Sequence, residues 1–206
     1  MNLTEKKIDG KQVYNGVIVN VRMDQVELPN GKAAPREIVD HPGAVAVLPL
    51  DEDNNVIMVT QYRYAFETEM LEIPAGKLNP GEDPWVCALR ELKEETGYIP
   101  GEMLPLGASY SSPGFCTEVI YLYLARYLEK GEATPDEDEF LKIEKVPLDD
   151  LVDRILQDEI RDSKTVRRSL DSSKVSRSIN ERTVGKMWRH SVFGGITDQL
   201  DKRHIV

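Results

Sequence analysis

The chain has 206 residues, enough for one domain or for one domain with an appendage, and 40% of them are hydrophobic and 30% charged, as in ordinary globular proteins. The formal net charge of −10 argues against a nucleic-acid partner, which would need a basic surface. No apolar run approaches the ~20 residues of a membrane span, and the N-terminus, MNLTEKKIDGK, has no apolar signal segment, so we expect no membrane association. Two cysteines, Cys87 and Cys116, cannot form a disulfide framework and favour a reducing, cytoplasmic location.

Residues 11–50 read as β-strands. The segment VYNGVIVNVRMDQVEL is rich in β-branched residues, and Asn15-Gly16 and the PNG sequence at 29–31 are hairpin-type turn signals. The apolar run at 43–48 is typical of a buried strand, and VIMVTQ predicts another strand after the loop at 51–55. The first part of the chain therefore favours antiparallel strands that lead into a buried sheet.

A helix is predicted within the stretch at 76–98, GKLNPGEDPWVCALRELKEETGY. Asp83 suits its N-cap, Pro84 its first helical position and Gly97 its terminator. At 100° per residue the helix has two faces, an apolar stripe of Trp85, Leu89, Leu92 and Thr96 and an acidic stripe of Glu91, Glu94 and Glu95.

The acidic stripe indicates a metal site. Like charges three and four residues apart on a helix repel by a few tenths of a kcal/mol per pair unless something offsets them. Carboxylate oxygens are ligands that Mg²⁺ and Mn²⁺ prefer, so a divalent cation is the natural partner. Such cations would also invert the local field and admit an anionic substrate to a chain of net charge −10.

Beyond this helix, strands and a second helix are predicted. A loop at 111–114 and an acidic loop at 129–139 separate the predicted strands Met103–Tyr110, Val119–Ala125 and Phe140–Val146. Pro147 is expected to open a helix, PLDDLVDRILQDEI, with an apolar face of Leu148, Leu151, Ile155 and Leu156. Strands with helices between and after them suit an α/β/α sandwich.

The composition changes near the C-terminus. Residues 164–206 carry a net charge of +6, which leaves −16 for residues 1–163, and TVRRSLDSSKVSRSINERTVGK has no continuous apolar stripe. We expect a basic appendage at 164–206, loosely ordered from residue 170, with a nucleic-acid-binding tail as the alternative. His190 and His204 have no partner spacing and are expected at the surface.

Seven residues of the stretch at 76–98 fill every fixed position of the Nudix box, so the chain resembles the Nudix hydrolases; they are Gly76, Glu82, Arg90, Glu91, Glu94, Glu95 and Gly97. Tyr98 departs from the pattern, where an aliphatic residue is usual. The resemblance implies the Nudix fold, an α/β/α sandwich with a mixed sheet plus N-terminal antiparallel strands. It also implies hydrolysis of a diphosphate with Mg²⁺, or alternatively Mn²⁺, as cofactor.

The resemblance also assigns roles within the box. By motif position, Glu91 and Glu95 are the expected catalytic metal ligands, with Glu94 a third or auxiliary one. The Ala75 carbonyl, just before the box glycine, is a further expected ligand. Glu82 either binds metal through water or orients Arg90, and a purely structural Glu82–Arg90 ion pair is the alternative.

The substrate prediction depends on residues outside the box. Pro113, sixteen residues after Gly97, resembles the ADP-ribose pyrophosphatase subgroup, as do Arg36 in PREIVDHPG and Arg63 in QYRYA. A planar guanidinium suits both binding of the anionic diphosphate and stacking on adenine, and surface ion pairs are the alternative for both arginines. Two weaker assignments complete the set: Glu118 for metal or terminal ribose, and Glu137 in PDEDEF as the base, with Glu139 its close competitor.

The expected reaction is therefore hydrolysis of ADP-ribose to AMP and ribose 5-phosphate. The resemblance implies a homodimer that exchanges its N-terminal strands, with dimerisation through 1–42, a Nudix domain at 43–163 and Arg36 reaching the partner's site. GDP-mannose, another nucleoside diphosphate sugar or a dinucleoside polyphosphate is the alternative substrate. A non-catalytic ADP-ribose sensor is a further alternative, which the complete box disfavours.

Overall fold

The computed structural model describes residues 2–137, 139–167 and 169, which form ten strands and two α-helices, followed by a helical turn from Ser163. No helix among these residues is long and apolar enough to span a bilayer. In chain order the elements are β1 Lys6–Asn15, β2 Asn20–Glu27, β3 Ala33–Asp40, β4 Ala44–Pro49, β5 Asn55–Arg63, β6 Thr68–Glu72, β7 Ala75–Lys77, α1 Pro84–Thr96, β8 Tyr98–Tyr110, β9 Val119–Lys130, β10 Lys142–Pro147 and α2 Leu148–Leu156.

The strands form three sheets. β1, β2 and β3 make an N-terminal antiparallel sheet, and β10, β5 and β6 make a second antiparallel sheet. The third has the order β7-β4-β9-β8, and it is mixed because β4 pairs with β9 in parallel while its other pairs are antiparallel. The predicted α/β class, the mixed sheet and the N-terminal antiparallel strands are therefore present.

β4 joins two hydrophobic cores because successive side chains of a strand point to opposite faces. Val45 and Val47 pack with α1, β8 and β9 on one side. Ala46 and Leu48 pack on the other side with β5, β10 and α2. The mixed sheet is thus covered on both faces, as expected for a sandwich.

α1 begins and ends where the capping residues predict. The Asp83 side chain accepts hydrogen bonds from the backbone N–H groups of Trp85 and Val86, and Gly97 closes the helix at φ 76°. Such an N-cap stabilises a helix by about 1 kcal/mol. Trp85 differs from the prediction, since it stays 40% exposed and meets the Tyr123 ring edge-on at 5.8 Å.

Three predicted boundaries differ from the structure. β8 begins at Tyr98 rather than at 103, because it pairs with β9 from Tyr98 opposite Lys130. Pro147 ends β10 and serves as the N-cap of α2 instead of opening the helix. α2 ends at Leu156, and the prediction that Leu156 belongs to its apolar face is wrong, since the side chain is 70% exposed. One residue past buried Ile155, it is rotated by 100° away from the core.

The chain around residue 165 is anchored to the domain. The Asp162 carboxylate accepts hydrogen bonds from the backbone N–H and the hydroxyl of Thr165, at 2.9 and 2.5 Å. The fully buried Thr165 hydroxyl in turn accepts the backbone N–H of Ile73 at 3.0 Å. Packed structure thus continues past the domain end predicted at 163. Most of the predicted appendage, including His190 and His204, lies outside the described residues.

Replacing Thr165 with Val should lower the free energy of unfolding by about 1–3 kcal/mol, because the buried N–H of Ile73 would lose its acceptor. Thr165→Ser keeps the hydroxyl and should lose less. Urea unfolding of both variants measures this, with Thr68→Val, at an exposed position, as the control. A Thr165→Val protein as stable as wild type would contradict the anchoring role.

Candidate active site

The acidic face of α1 opens into a cleft of about 730 Å³. β7 and α1 form one wall. The rest is lined by the starts of β4 and β9, the end of β5, the loop before β10, residues 162–164 and the single residues Ile18, Asn79 and Ser111. The charged residues that line the cleft are Arg63, Lys77, Arg90, Glu91, Glu94, Glu95, Glu118, Asp136, Glu139, Asp162 and Lys164.

Two of the three α1 carboxylates are buried. Glu91 is 8% exposed and Glu95 only 2%. Glu95 accepts the backbone N–H of Ala75 at 3.1 Å, which ties α1 to β7. A Cβ on Gly76 would lie 1.9 Å from the carboxyl carbon of Glu91, so only glycine lets β7 pass over this carboxylate. The box glycine therefore makes room for an acidic group.

Arg90 organises the acidic cluster. Its Nε and Nη2 donate to Glu82 at 2.9 and 3.0 Å, and its Nη1 donates to Glu91 and Glu94, each at 2.8 Å. Glu82 also accepts the backbone N–H of Asn79 at 2.8 Å. Arg90 and this N–H together lower the pKa of Glu82 to about 2. The Glu82–Arg90 ion pair fits both the predicted orienting role and the purely structural alternative, and Glu82 is not among the residues that line the cleft.

The buried carboxylates resist ionisation when nothing offsets their charge. Burial, followed by repulsion from Glu91 and Glu139, raises the pKa of Glu95 from 4.5 to about 8. Burial also raises the pKa of Glu91, although Arg90 opposes this shift. Buried acids of this kind bind cations or protons, so the oxygen-only donor set fits a divalent ion.

The cation ligands are not preassembled. Among the described residues, no three acidic, histidine or cysteine side chains surround a common point. Arg90 engages both Glu91 and Glu94, so these side chains would have to turn to bind an ion. Glu95 is already held beside Ala75. The residues fit a divalent cation by chemistry and burial, and the final geometry requires side-chain movement.

The structure separates the other predicted site residues into two groups. Arg63, Glu118 and Glu139 line the cleft, and Arg63 donates two hydrogen bonds to Glu72, at 2.8 and 2.6 Å. The remaining three, Arg36, Pro113 and Glu137, do not line it.

Each of these three has a local explanation. Arg36, on the N-terminal sheet, pairs with Glu5 at 2.5 Å. Pro113 lies in the exposed turn between β8 and β9, where Ser111 reaches the cleft instead. Glu137 is exposed at the tip of its loop.

Sequence reasoning missed four charged cleft residues, Lys77, Asp136, Asp162 and Lys164, of which the last two lie on one short segment. The available signal was the Asp162-Ser-Lys-Thr165 run itself, because Asp is a favoured N-cap residue. In the structure the Asp162 carboxylate accepts the backbone N–H of Thr165, three residues later, as an N-cap does. The predicted boundary at residue 163 instead divided this run between the Nudix domain and the basic appendage. The folding back of the run against β6 and β7 could not be predicted from local sequence.

Family models account for most of the chain. Residues 40–168 match the NUDIX domain, and residues 5–39 match the nucleoside diphosphate sugar hydrolase N-terminal domain. The chain belongs to the Nudix family. The Nudix interpretation of the box is thereby confirmed, and the box residues of α1 line the cleft described above.

Two relatives and one solved structure are similar to this Nudix protein. A Methanol dehydrogenase activator of Bacillus methanolicus is 50% identical over 79% of this chain and 89% of its own length. An ADP-ribose pyrophosphatase of Bacillus subtilis (strain 168) is 46% identical over 80% of this chain and 90% of its own length. The crystal structure of an ADP compounds hydrolase superimposes with a TM-score of 0.77 at 21% identity, covering 89% of this chain and all of that one, which confirms the fold.

In EDTA, wild-type protein should lose stability as the pH rises from about 5 to 9. The folded-state pKa of Glu95 lies above its ordinary value, so its contribution is fully present below pH ~4.5 and is lost as the pH passes about 8. Glu95→Gln removes this titration while retaining an acceptor for Ala75. The free energy of unfolding of Glu95→Gln should exceed that of wild type by about 2–4 kcal/mol at pH 9. At pH 5 the two free energies of unfolding should be similar.

Urea unfolding at both pH values measures the difference, with exposed Glu129→Gln as the control. Cations and protons compete for the same carboxylates, so adding a divalent cation should restore the stability of wild type at pH 9. The same addition should stabilise Glu95→Gln less than it stabilises wild type. Parallel pH profiles for wild type and Glu95→Gln would contradict the raised pKa.

Proposed function

We propose that the chain hydrolyses the diphosphate of ADP-ribose to AMP and ribose 5-phosphate, with Mg²⁺ as cofactor and Mn²⁺ as a substitute. The observation that carries this proposal is the complete carboxylate site of α1 in a chain 46% identical to an ADP-ribose pyrophosphatase over 80% of its length. A cytoplasmic location accompanies it, supported by two free cysteines, Cys87 and Cys116.

Glu91, Glu95 and the Ala75 carbonyl are the proposed metal ligands, and Glu94 is auxiliary. Glu91 and Glu95 are buried beside β7, where their negative charge has no cationic partner except Arg90 on Glu91 and the more distant Lys164. Glu82 contributes through Arg90 rather than by direct contact. A bound divalent cation supplies charge that offsets the phosphoryl oxygens of the substrate.

Glu139 is the better placed base. It lines the cleft, and its charge is close enough to raise the pKa values of Glu91 and Glu95, whereas Glu137 is exposed and does not line the cleft. Its carboxylate would accept the proton of the attacking water. Arg63 would hold the diphosphate, and Glu118, at the start of β9, would contact the terminal ribose or the metal.

A substrate panel with and without Mg²⁺ tests the function. The panel contains ADP-ribose, GDP-mannose and a dinucleoside polyphosphate, and released nucleoside monophosphate is followed by chromatography. ADP-ribose should give the highest kcat/KM, with no turnover in EDTA. Faster cleavage of another member would overturn the substrate assignment, and tight ADP-ribose binding without turnover by any metal would support the sensor alternative.

Glu139→Gln should lower kcat by about 10²–10⁴-fold, the usual contribution of a general base, while Glu137→Gln stays within about threefold of wild type. The two substitutions are matched in chemistry and lie on the same loop, so each controls for the other. Steady-state rates at saturating ADP-ribose and Mg²⁺ provide the measurement. A larger loss for Glu137→Gln would return the base to Glu137.

The proposed assembly is a homodimer formed by the N-terminal sheet. Every residue of β1 is exposed, and Ile8, Val13 and Tyr14 each leave more than half of their surface uncovered. An edge strand with three uncovered apolar side chains favours association with another chain. Arg36 lies on this sheet and outside its own cleft, which supports a role in the partner's site.

Complementation tests the role of Arg36. Arg36→Ala and Glu95→Gln should each be impaired, and a mixed dimer of the two should regain activity. In that dimer one site receives a wild-type Glu95 from its own chain and a wild-type Arg36 from the other. Co-expressed, differently tagged chains allow the mixed dimer to be isolated and assayed. A mixed dimer no more active than the parent variants would place Arg36 in its own chain's site or in none.

A second candidate function is activation of a dehydrogenase, favoured by the 50% identity to a Methanol dehydrogenase activator. Methanol dehydrogenase of Bacillus methanolicus is assayed with wild-type protein and with Glu95→Gln. Stimulation by wild type alone would make activation depend on hydrolysis. No stimulation by either would remove this candidate and leave the ADP-ribose proposal intact.

A further inference from the structure

We infer that Glu72 and Lys164 are positioning residues that orient Arg63 for the substrate, an inference that rests on the proposed function. Neither residue belongs to the Nudix box, and Lys164 lies 92 positions away from Glu72 in the chain. Arg63 and Lys164 line the cleft, and both donate hydrogen bonds to the buried carboxylate of Glu72.

Glu72 holds the guanidinium of Arg63 in one plane. Its carboxylate is 2% exposed and accepts Nε of Arg63 on one oxygen and Nη2 on the other, at 2.8 and 2.6 Å. This two-point contact restricts rotation of the guanidinium far more than a single hydrogen bond would. Within the part of the chain that the structure describes, Nη1 of Arg63 donates no hydrogen bond, so one edge of the guanidinium remains available to an anion in the cleft.

Lys164 holds Glu72 in turn. Its Nζ donates to Glu72 at 2.5 Å and to Asp162 at 2.8 Å, and its side chain is 12% exposed. Burial raises the pKa of Glu72, but the hydrogen bond from Arg63 and the charge of Lys164 outweigh it and leave the pKa lowered. The network of Arg63, Glu72, Lys164 and Asp162 carries two positive and two negative charges, so it is neutral overall. Its effect on Arg63 is therefore to fix the orientation of the guanidinium and not to add positive charge to the cleft.

The segment at 162–165 is also anchored near Ala75, whose carbonyl is a proposed metal ligand. Thr165, next to Lys164, accepts the backbone N–H of Ile73, which directly follows Glu72 and lies two residues before Ala75. One connection between β6 and β7 therefore places both the partner of Arg63 and the proposed carbonyl ligand. Residues 162–165 act on the site through this connection.

A double-mutant cycle tests whether Lys164 acts through Arg63. The readout is the Kd of the non-hydrolysable α,β-methylene analogue of ADP-ribose with Mg²⁺, measured by calorimetry. Lys164→Met and Arg63→Met should each weaken binding at least fivefold. Lys164→Met added to Arg63→Met should weaken it by less than twofold more, because Lys164 then has nothing left to orient.

Turnover of ADP-ribose gives a second readout. Lys164→Met should raise KM at least fivefold while kcat stays within about threefold of wild type, because the carboxylate site on α1 is untouched. Lys164→Arg keeps the charge and should recover most of the KM. A purely structural role would instead lower the melting temperature without a selective change in KM.

Lys145→Met is the matched control, since Lys145 pairs with Asp51 at 2.8 Å outside the cleft and should leave Kd, KM and kcat unchanged. If Lys164→Met melts below the assay temperature, Lys164→Gln, which keeps a donor for Glu72, takes its place in the cycle. Multiplicative effects of the two substitutions, or unchanged binding by the Lys164 variant, would overturn the inference. Tight analogue binding by a wild-type protein that releases no AMP would instead overturn the proposed function.

Discussion

The site depends on two glutamates that the fold buries, Glu91 beside the guanidinium of Arg90 and Glu95 beside the backbone N–H of Ala75. Glu91 and Glu95 face β7 at 8% and 2% exposure, and burial is the main cause of their raised pKa values. Burying a charged carboxylate costs several kcal/mol unless a partner compensates. The fold tolerates this because one N–H of Ala75, the space above Gly76 and the guanidinium of Arg90 hold the carboxylates in place. A bound divalent cation would offset the free-energy cost of burying these carboxylates in their charged form.

The connection between β6 and β7 links this acidic site to the cationic end of the cleft. Glu72 orients Arg63, and Ala75 meets Glu95 three residues later. The chain returns at Thr165 to bind Ile73 between them. A short stretch of backbone thus sets the relative placement of Arg63, which is proposed to bind the diphosphate, and Glu95, which is proposed to bind the cation.

Errors in the sequence predictions share a cause. The bounds of α1 follow from local rules, namely an Asp N-cap, a Pro at the first position and a Gly terminator, and the structure has them unchanged. Pro147 was misplaced because the start of α2 depends on where β10 stops pairing with β5. Trp85 stays half-covered because Tyr123 of β9, not a neighbour in sequence, receives it.

The sequence by itself determined the chemistry, since the spacing of glutamates around one helical turn places their carboxylates on one face wherever that helix lies. The same motif also showed that Gly76 and Arg90 occupy fixed positions in the sequence relative to these glutamates. Only the tertiary structure decided which further charges reach the cleft: Glu139 rather than Glu137, and Arg63 oriented by Glu72 and Lys164. The physical reason is range. A helix face is set by bonds between residues four apart, whereas these contacts join loops and strands up to 92 residues apart, whose meeting depends on the packed core.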